Sequence, residues 1–450
     1  MKTLTWVSRF LLGLVFVFSG FVKLVDPLGF AYKFGDYFTA FKLGFLDVFS
    51  LPLGMVLPAI ELTLGLLLLL GYRRIVVSAA TLGFMGFFTV LTLILALFNP
   101  VHDCGCFGDA IVLTNWQTFL KNILFLGPAV LVFLNSRKEG ERGRVRREWS
   151  FALVLFLGSC LFSLWNLAHL PVLDFRAYDV GTLIEEEMTV PEGAPVDEYR
   201  TTLTYRNKET GKEEVFGMED YPRDTSAWEF VTSDSRLMKK GYEPPIHDFA
   251  FQDAYGEDQV SRVLSDEGYS LLLIAYDLTH TRQEDIQKAA VWSGLELLAD
   301  DFHFYALTAS PGQEAEDFVS TRSLPFDFHA ADEIMLKTVV RSNPGFVLIK
   351  NGVIVGKWAG RDFPELSEVD ERLVEQTQKA SAPLDEEALM LEDAGVFDDF
   401  SFQVLSIDQP AQKMLARSRS HASERDTTVI LLLSLVLILL AGQLVSPLDV

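Results

Sequence analysis

The chain has 450 residues, of which 49% are hydrophobic and 12% aromatic, and its formal net charge is −23. Residues 1–150 carry 14 basic and 9 acidic side chains, whereas the other 300 residues carry 24 basic and 52 acidic ones. The aromatic content excludes an acidic disordered chain. The overall charge of −23 argues against nucleic-acid binding, which needs a basic surface to contact phosphates. Three cysteines are too few for a disulfide-stapled secreted scaffold.

Six apolar stretches are long enough to cross a bilayer, which takes about 20 residues for a core of about 30 Å. They are Trp6–Val25, Leu51–Tyr72, Ile75–Phe98, Asn115–Leu134, Ser150–Leu170 and Thr428–Val445. The first stretch has basic residues near its start, as a signal peptide does. It has no small-x-small cleavage site, so we expect it to remain in the protein as a membrane helix. The sequence therefore predicts a multi-pass membrane protein that contacts the lipid bilayer.

Basic loops predict the orientation of these spans. Arg73 and Arg74 lie between spans two and three, and the loop 135–149 between spans four and five is rich in arginine. Both loops are expected in the cytoplasm. The loops 26–50 and 99–114 and the acidic stretch 171–427 then face outward, away from the cytoplasm. The aromatic-rich loop 26–50 is expected to form a helix on the membrane surface or folded back onto the bundle.

The acidic stretch divides into three predicted parts. Residues 171–245 are expected to form a small β-rich subdomain, with a strand at Tyr199–Tyr205 paired to Glu214–Gly217. Residues 246–365 alternate between strands and helices, and residues 366–427 form a polar tether to the sixth span. The predicted strands of the middle part are Leu271–Tyr276, His303–Thr308, Gly345–Lys350 and Val353–Trp358, with a turn at Asn351-Gly352; the helices are Arg282–Ala299, Gln313–Arg322 and Glu333–Ser342.

This order of elements in residues 246–365 resembles the thioredoxin fold. The segment Asn343–Gly352 is similar to that family's cis-proline strand and hairpin. The family places Cys-x-x-Cys after the strand at Leu271–Tyr276, but this chain has Asp277-Leu278-Thr279-His280-Thr281 there and no cysteine beyond Cys160. The domain therefore cannot perform dithiol chemistry and is expected to be a docking or scaffold module. His280 is interpreted as a surface residue or a relic of a former site.

One short motif at the outer end of span three contains two of the three cysteines together with a histidine and two aspartates. Its sequence is His102-Asp103-Cys104-Gly105-Cys106-Phe107-Gly108-Asp109. An extended pair two residues apart lies near the limit for a disulfide, about 7 Å against a preferred 5.5–6 Å between Cα atoms. Gly105 can adopt the turn that brings the sulfurs together. Strain in so small a ring favours a labile disulfide and hence thiol exchange.

Two other interpretations of this motif stay open. His102, Cys104 and Cys106, with Asp103 or Asp109, could bind copper(I) or zinc. The loop could also be inert. The third cysteine, Cys160, lies in the middle of span five and is interpreted as a small buried apolar residue.

Ionisable residues within spans are costly, so each is a candidate functional residue. Glu61 lies near the middle of span two, where it could carry protons to or from a quinone-like acceptor or could simply be hydrogen-bonded within the bundle. Lys23 and Asp26 lie three residues apart at the outer end of span one, where either an interfacial ion pair or a snorkelling lysine is predicted. His169 is expected at the interface.

Residues 1–134 resemble DoxX/MauE-type membrane proteins. The resemblance is carried by Phe18–Pro27, by Ala59–Leu62 through Leu70-Gly71, and by the Cys104–Gly108 loop. It implies a four-helix membrane bundle linked to periplasmic redox or cysteine-maturation chemistry, with MauE implicated in methylamine dehydrogenase maturation. The expected fold is thus a six-span α-helical membrane protein with a four-helix core, a thioredoxin-like α/β domain and a β-rich subdomain.

The leading functional hypothesis is thiol–disulfide exchange. Thiols of a periplasmic protein or thioredoxin-like carrier would attack a Cys104–Cys106 disulfide. A membrane acceptor such as a quinone would reoxidise the pair, with Glu61 transferring protons. The alternatives are a non-enzymatic scaffold that recruits periplasmic partners and a protein that handles metal.

Overall fold

The computed structural model describes residues 2–72, 74–101, 103–139, 145–239, 241–369 and 411–416. The predicted sixth span, His102 and most of the predicted tether lie outside these residues. The chain divides into two compact units, residues 183–249 and the remainder of the chain.

Among the described residues, five helices are long and apolar enough to cross a membrane. They are α1 (Lys2–Val25), α3 (Ser50–Leu70), which extends a 3-10 segment at Gly44–Phe49, α4 (Arg74–Phe98), α5 (Asn115–Glu139) and α6 (Val145–Ala168), while α2 (Pro27–Ala40) lies between the first two. Helices are therefore confirmed at the first five predicted spans. The helix predicted within residues 26–50 is confirmed as α2, which begins after Asp26 because that carboxylate caps the Gly29 nitrogen at 2.9 Å.

Close contact between α1 and α3 depends on glycine. A methyl group at Gly20 would lie 2.5 Å from the Leu62 nitrogen, and one at Gly65 would lie 2.7 Å from the Val17 nitrogen. Small residues at such crossings let two membrane helices approach closely. This close approach allows side chains on α1 to reach those on α3.

The unit 183–249 contains a short helix and one antiparallel sheet. Its elements are α7 (Ile184–Met188), β1 (Glu198–Asn207), β2 (Glu213–Gly217) and β3 (Trp228–Lys239), in the strand order β2-β1-β3. The predicted pairing of Tyr199–Tyr205 with Glu214–Gly217 is confirmed, since Thr204 pairs with Val215. The third strand has no counterpart in the sequence prediction.

Residues 250–369 form a mixed α/β domain around a six-stranded sheet in the order β4-β7-β6-β5-β8-β9. Its strands are β4 (Phe251–Gln252), β5 (Tyr269–Ile274), β6 (Phe302–Thr308), β7 (Phe328–Ala331), β8 (Gly345–Lys350) and β9 (Val353–Ala359); its helices are α8 (Val260–Leu264), α9 (Gln283–Ser293), α10 (Gly312–Arg322), α11 (Glu333–Val339) and α12 (Leu366–Val369). The central strand β5 is buried at every position, as its continuous apolar run predicts.

Most predicted elements of this domain are confirmed, and the differences have local causes. Asn351 and Gly352 both have positive φ, at 50° and 71°, as the predicted hairpin turn requires. The predicted helix Glu333–Ser342 is too long, because α11 ends at Val339 and Val340 is already extended. The Asn343-Pro344 peptide bond is cis.

The α/β domain contacts the end of the helical bundle that carries Asp26 and Asp109. Arg341 Nε lies 2.9 Å from Asp26 Oδ2, and its Nη2 lies 3.2 Å from Asp109 Oδ2. The predicted ion pair between Lys23 and Asp26 is therefore wrong, because Asp26 faces the α/β domain instead. His169, at the end of α6, lies 2.7 Å from Asp362 of the same domain.

Replacing Arg341 by alanine is expected to destabilise the protein by about 3 kcal/mol, because two half-buried carboxylates would lose their cation. Thermal unfolding of the full chain in detergent measures the effect. Arg236→Ala is the control, since that arginine is 80% exposed and pairs with Asp234 at the surface, where about 0.5 kcal/mol is expected. Equal melting temperatures for the two variants would contradict the importance of the Arg341 contacts.

Candidate functional site

The segment Asp103–Asp109 between α4 and α5, here called the cysteine loop, forms a tight turn. Gly105 has a φ of +61°, and its nitrogen donates a hydrogen bond of 2.8 Å to the Asp103 carboxylate. The Gly108 nitrogen donates to the Gly105 carbonyl at 3.0 Å. The turn predicted at Gly105 is confirmed, and a side chain there would be strained in this left-handed conformation.

The turn places two free thiols together. Cys104 is buried and Cys106 is half-buried, and their side chains share a hydrogen bond. That bond lowers the pKa of Cys106, as do the nearby charges of Lys121 and Lys23, although burial opposes the shift. The same bond, together with burial, raises the pKa of Cys104. The lowered pKa favours the thiolate of Cys106, which is the reactive form of a cysteine, and the raised pKa keeps Cys104 protonated.

A chain of polar contacts connects helix α1 to the cysteine loop. The Ser19 hydroxyl donates to the Cys106 carbonyl at 2.7 Å, and Lys23 Nζ donates to Ser19 Oγ at 2.9 Å. The same ammonium lies 2.8 Å from Glu61 Oε2 of α3, and both side chains are only 7% exposed. The cysteine loop is therefore connected to a buried ion pair inside the bundle.

Helix α2 holds the other side of the loop. The Tyr37 hydroxyl donates to the Cys104 carbonyl at 2.8 Å, and Lys33 Nζ lies 2.7 Å from Asp103 Oδ2. Burial raises the pKa of Tyr37, so this hydroxyl keeps its proton and remains a donor. The backbone around both thiols is thus fixed by groups from two helices.

Both cysteines line a cavity of about 230 Å³ between the helices. Most of its wall is apolar and aromatic, and its polar lining residues include Ser19, Lys23, Glu61, Lys121 and Asn122. The phenylalanines that line it come from α1, α2, α4 and α5: Phe16, Phe30, Phe34, Phe84, Phe88 and Phe125 are among them. The predicted site residues Cys104, Cys106 and Glu61 therefore meet around one cavity.

Other candidates from the sequence lie elsewhere. His280 is exposed and pairs with Asp277 at 2.7 Å, which supports its interpretation as a surface residue. Cys160 is half-buried in α6. Asp109 pairs with Arg341, and no group of three or more potential metal ligands occurs within the described part of the chain. His102 lies outside the described residues.

The sequence prediction misses the partners of the site. It places Lys23 at the interface, yet this residue is the cation that neutralises Glu61. The available signal is that both residues are ionisable groups in or near apolar spans, which pair with each other when buried. Tyr37 and Lys33 have no comparable signal, because their roles depend on how α2 folds back onto the loop.

Comparison with known proteins relates the membrane part to one family. Residues 1–135 match the family model described as methylamine utilisation protein MauE, which confirms the MauE-type resemblance, and residues 199–240 match a domain of unknown function, DUF8463. A curated relative is Protein TlpB of Flavobacterium psychrophilum, 26% identical over 144 residues. The alignment covers 31% of this chain and 39% of that relative, well under two thirds of its length. No solved structure matches the chain.

The thiol pair predicts a distinctive pH dependence. Alkylation of Cys106 should have its midpoint below about 8.5, the usual thiol pKa. Cys104→Ala removes the hydrogen-bond donor and should move the midpoint upward, whereas Cys104→Ser retains a donor and should move it less. Peptide mass spectrometry after timed alkylation at a series of pH values measures the midpoint for each protein, with Cys160 replaced by serine in all three. Identical midpoints in all three proteins would show that the hydrogen bond does not control reactivity.

The buried ion pair predicts non-additive stability. Lys23→Met leaves the Glu61 carboxylate without its cation and should cost about 3–5 kcal/mol. The double variant Lys23→Met/Glu61→Leu removes both charges and should recover most of that loss. Thermal unfolding in detergent tests the pattern. A double variant as unstable as Lys23→Met alone would indicate that Lys23 acts through packing rather than charge.

Proposed function

We propose that this protein is a membrane thiol–disulfide oxidoreductase that uses Cys104 and Cys106. Its role would be the thiol redox control or cysteine maturation of a periplasmic partner. The observation that carries the proposal is the Cys104-Gly105-Cys106 turn, whose backbone is held by hydrogen bonds from α1 and α2. Its two thiols are hydrogen-bonded to each other and have pKa values shifted in opposite directions. The match of residues 1–135 to the family of methylamine utilisation protein MauE supports a membrane bundle of that family as the setting of this pair.

The exchange needs two steps that balance electrons and protons. A thiolate of the partner attacks the Cys106 sulfur of the disulfide, because Cys104 is buried, and Cys104 leaves as a thiolate that takes up a proton. A second partner thiol attacks the mixed disulfide, so the partner gains a disulfide and both cysteines become thiols. The pair then passes two electrons and two protons to an acceptor in the membrane, with Glu61 as a proton carrier.

The proposed location is the periplasmic face of a bacterial inner membrane. Basic loops after spans two and four favour a cytoplasmic position for the opposite ends of the helices. Contacts of Lys33 with Asp103 and of Arg341 with Asp109 support a shared side for α2, the cysteine loop and the α/β domain. The partner would therefore approach from the periplasm.

We interpret the α/β domain as a thioredoxin-like domain without its dithiol. The order β6-β5-β8-β9, with β5 and β6 parallel and β8 antiparallel to β5, supports this interpretation. The loop before β8 faces the bundle through Arg341, so the domain would position the cysteine loop instead of carrying electrons. A separate thioredoxin-like carrier would supply the thiols.

The alternative is a non-enzymatic scaffold that recruits a partner. The sheet of residues 198–239 favours it, because Val215, Phe230 and Met238 are 67%, 53% and 62% exposed. On this alternative, serine in place of Cys104 and Cys106 would be tolerated, whereas deletion of residues 198–239, which form this sheet, would abolish recruitment.

Differential alkylation of the full chain in membranes across a graded redox buffer tests the enzyme proposal. Cys104 and Cys106 should titrate together as a reversible couple, and Cys104→Ser or Cys106→Ser should abolish it. Cys160→Ser is the control and should leave the couple unchanged, since Cys160 lies in α6. A pair that resists both reduction and oxidation would exclude this function. Metal bound by the wild type and lost in the double serine variant would favour metal handling.

A further inference from the structure

The cavity beside the thiols has the dimensions of a ligand site rather than of a packing defect. Its volume of about 230 Å³ far exceeds the roughly 10–15 Å³ that holds one water on the same measure. Binding sites for small molecules are mostly apolar and aromatic, with a few fixed polar groups. This cavity combines a phenylalanine-rich wall with two thiols and a buried ion pair.

The polar groups of the cavity lie toward the cysteine loop. Along α1 the lining changes from Leu12, Val15 and Phe16 to Ser19 and Lys23, the last two being nearest the loop. A ligand that fits this order has an apolar body and a head that accepts hydrogen bonds. The ammonium groups of Lys23 and Lys121 are donors for such a head.

The rim of the cavity includes side chains that also face outward. Phe41 and Leu43 are 38% and 37% exposed, and Phe87 of α4 is 64% exposed. Since α4 is a candidate membrane span, the exposed side of Phe87 would face the lipid. A ligand dissolved in the bilayer can therefore reach the cavity from the side.

We propose that this cavity binds the ring of a lipid-soluble quinone, which oxidises the Cys104–Cys106 thiol pair. The phenylalanines stack against the flat ring, as aromatic side chains do with offset or edge-on rings, and the carbonyl oxygens accept hydrogen bonds from the lysines. A lipid acyl chain would instead place a methyl group against the ion pair, leaving the polar end without a partner. The isoprenoid tail extends past Phe87 into the bilayer.

The oxidation step rests on the proposed function, whereas the binding does not. Two thiols and one quinone give one disulfide and one hydroquinone. The Cys104–Cys106 bond forms, both S–H bonds break, and two electrons and two protons pass to the two carbonyl oxygens. The pair is oxidised and the quinone is reduced.

The binding test uses decylubiquinone and the full chain in nanodiscs, with both cysteines replaced by serine so that no electron transfer occurs. Leu91 lines the cavity, and Leu97 on the same helix is 60% exposed. Leu91→Trp should weaken binding by at least tenfold in calorimetry, whereas Leu97→Trp should change it less than twofold. If Leu91→Trp does not fold, Val15→Phe replaces it, because Val15 also lines the cavity. Its control is Leu14→Phe, since Leu14 is 44% exposed.

Equal affinity of the Leu91→Trp and Leu97→Trp proteins would overturn the proposal. So would equally tight binding of decyl alcohol, which carries the same tail without the ring, because the cavity would then be a general acyl site.

A kinetic test separates the quinone site from the proposed function. With the cysteines present, Leu91→Trp should slow thiol oxidation by decylubiquinone at least tenfold but leave oxidation by water-soluble ferricyanide unchanged. Equal slowing with both oxidants would overturn the site, because the thiols themselves would be damaged. Specific quinone binding to a wild-type pair that neither oxidant converts to a disulfide would uphold the site and refute the exchange function.

Discussion

The buried ion pair between Lys23 and Glu61 is the interaction on which the candidate site depends. Its two charges lie 2.8 Å apart with almost no solvent contact, so neither residue can be removed alone without leaving an uncompensated charge. The pair forms because Gly20 and Gly65 let α1 and α3 approach closely. Through Ser19, the same lysine is connected to the backbone of Cys106. The packing of two membrane helices thus determines where Cys106 lies.

The position of the cysteine loop also determines its electrostatics. A lone Cys-Gly-Cys segment in water would have two similar thiols with pKa values near 8.5. In the folded chain, the hydrogen bond between the thiols and the charges of Lys121 and Lys23 make them different. Such a difference allows one sulfur to act as a nucleophile while its neighbour remains protonated. Both thiols also line the same cavity between the helices.

The α/β domain is held against the membrane bundle by ion pairs near the cysteine loop. Ionic contacts join it to the bundle, because Arg341 bridges Asp26, which caps α2, and Asp109, which ends the cysteine loop. Burial alone would lower the pKa of Arg341, but the two carboxylates raise it and keep the guanidinium charged. One arginine therefore connects the domain to both segments that hold the thiols.

The sequence by itself determined the elements that depend on local pattern. Helices at the first five spans follow from apolar length, the hairpin at Asn351-Gly352 from turn chemistry, and the turn at Gly105 from the freedom of glycine. It also identified Cys104, Cys106 and Glu61 as candidates, because cysteine pairs and membrane carboxylates are uncommon. Only the tertiary structure decided their partners. Lys23 could pair with Asp26 three residues away or with Glu61 on another helix, and local spacing favoured the wrong choice. The choice depends on helix packing and on Arg341, which is 315 positions from Asp26, and neither is encoded in any local pattern.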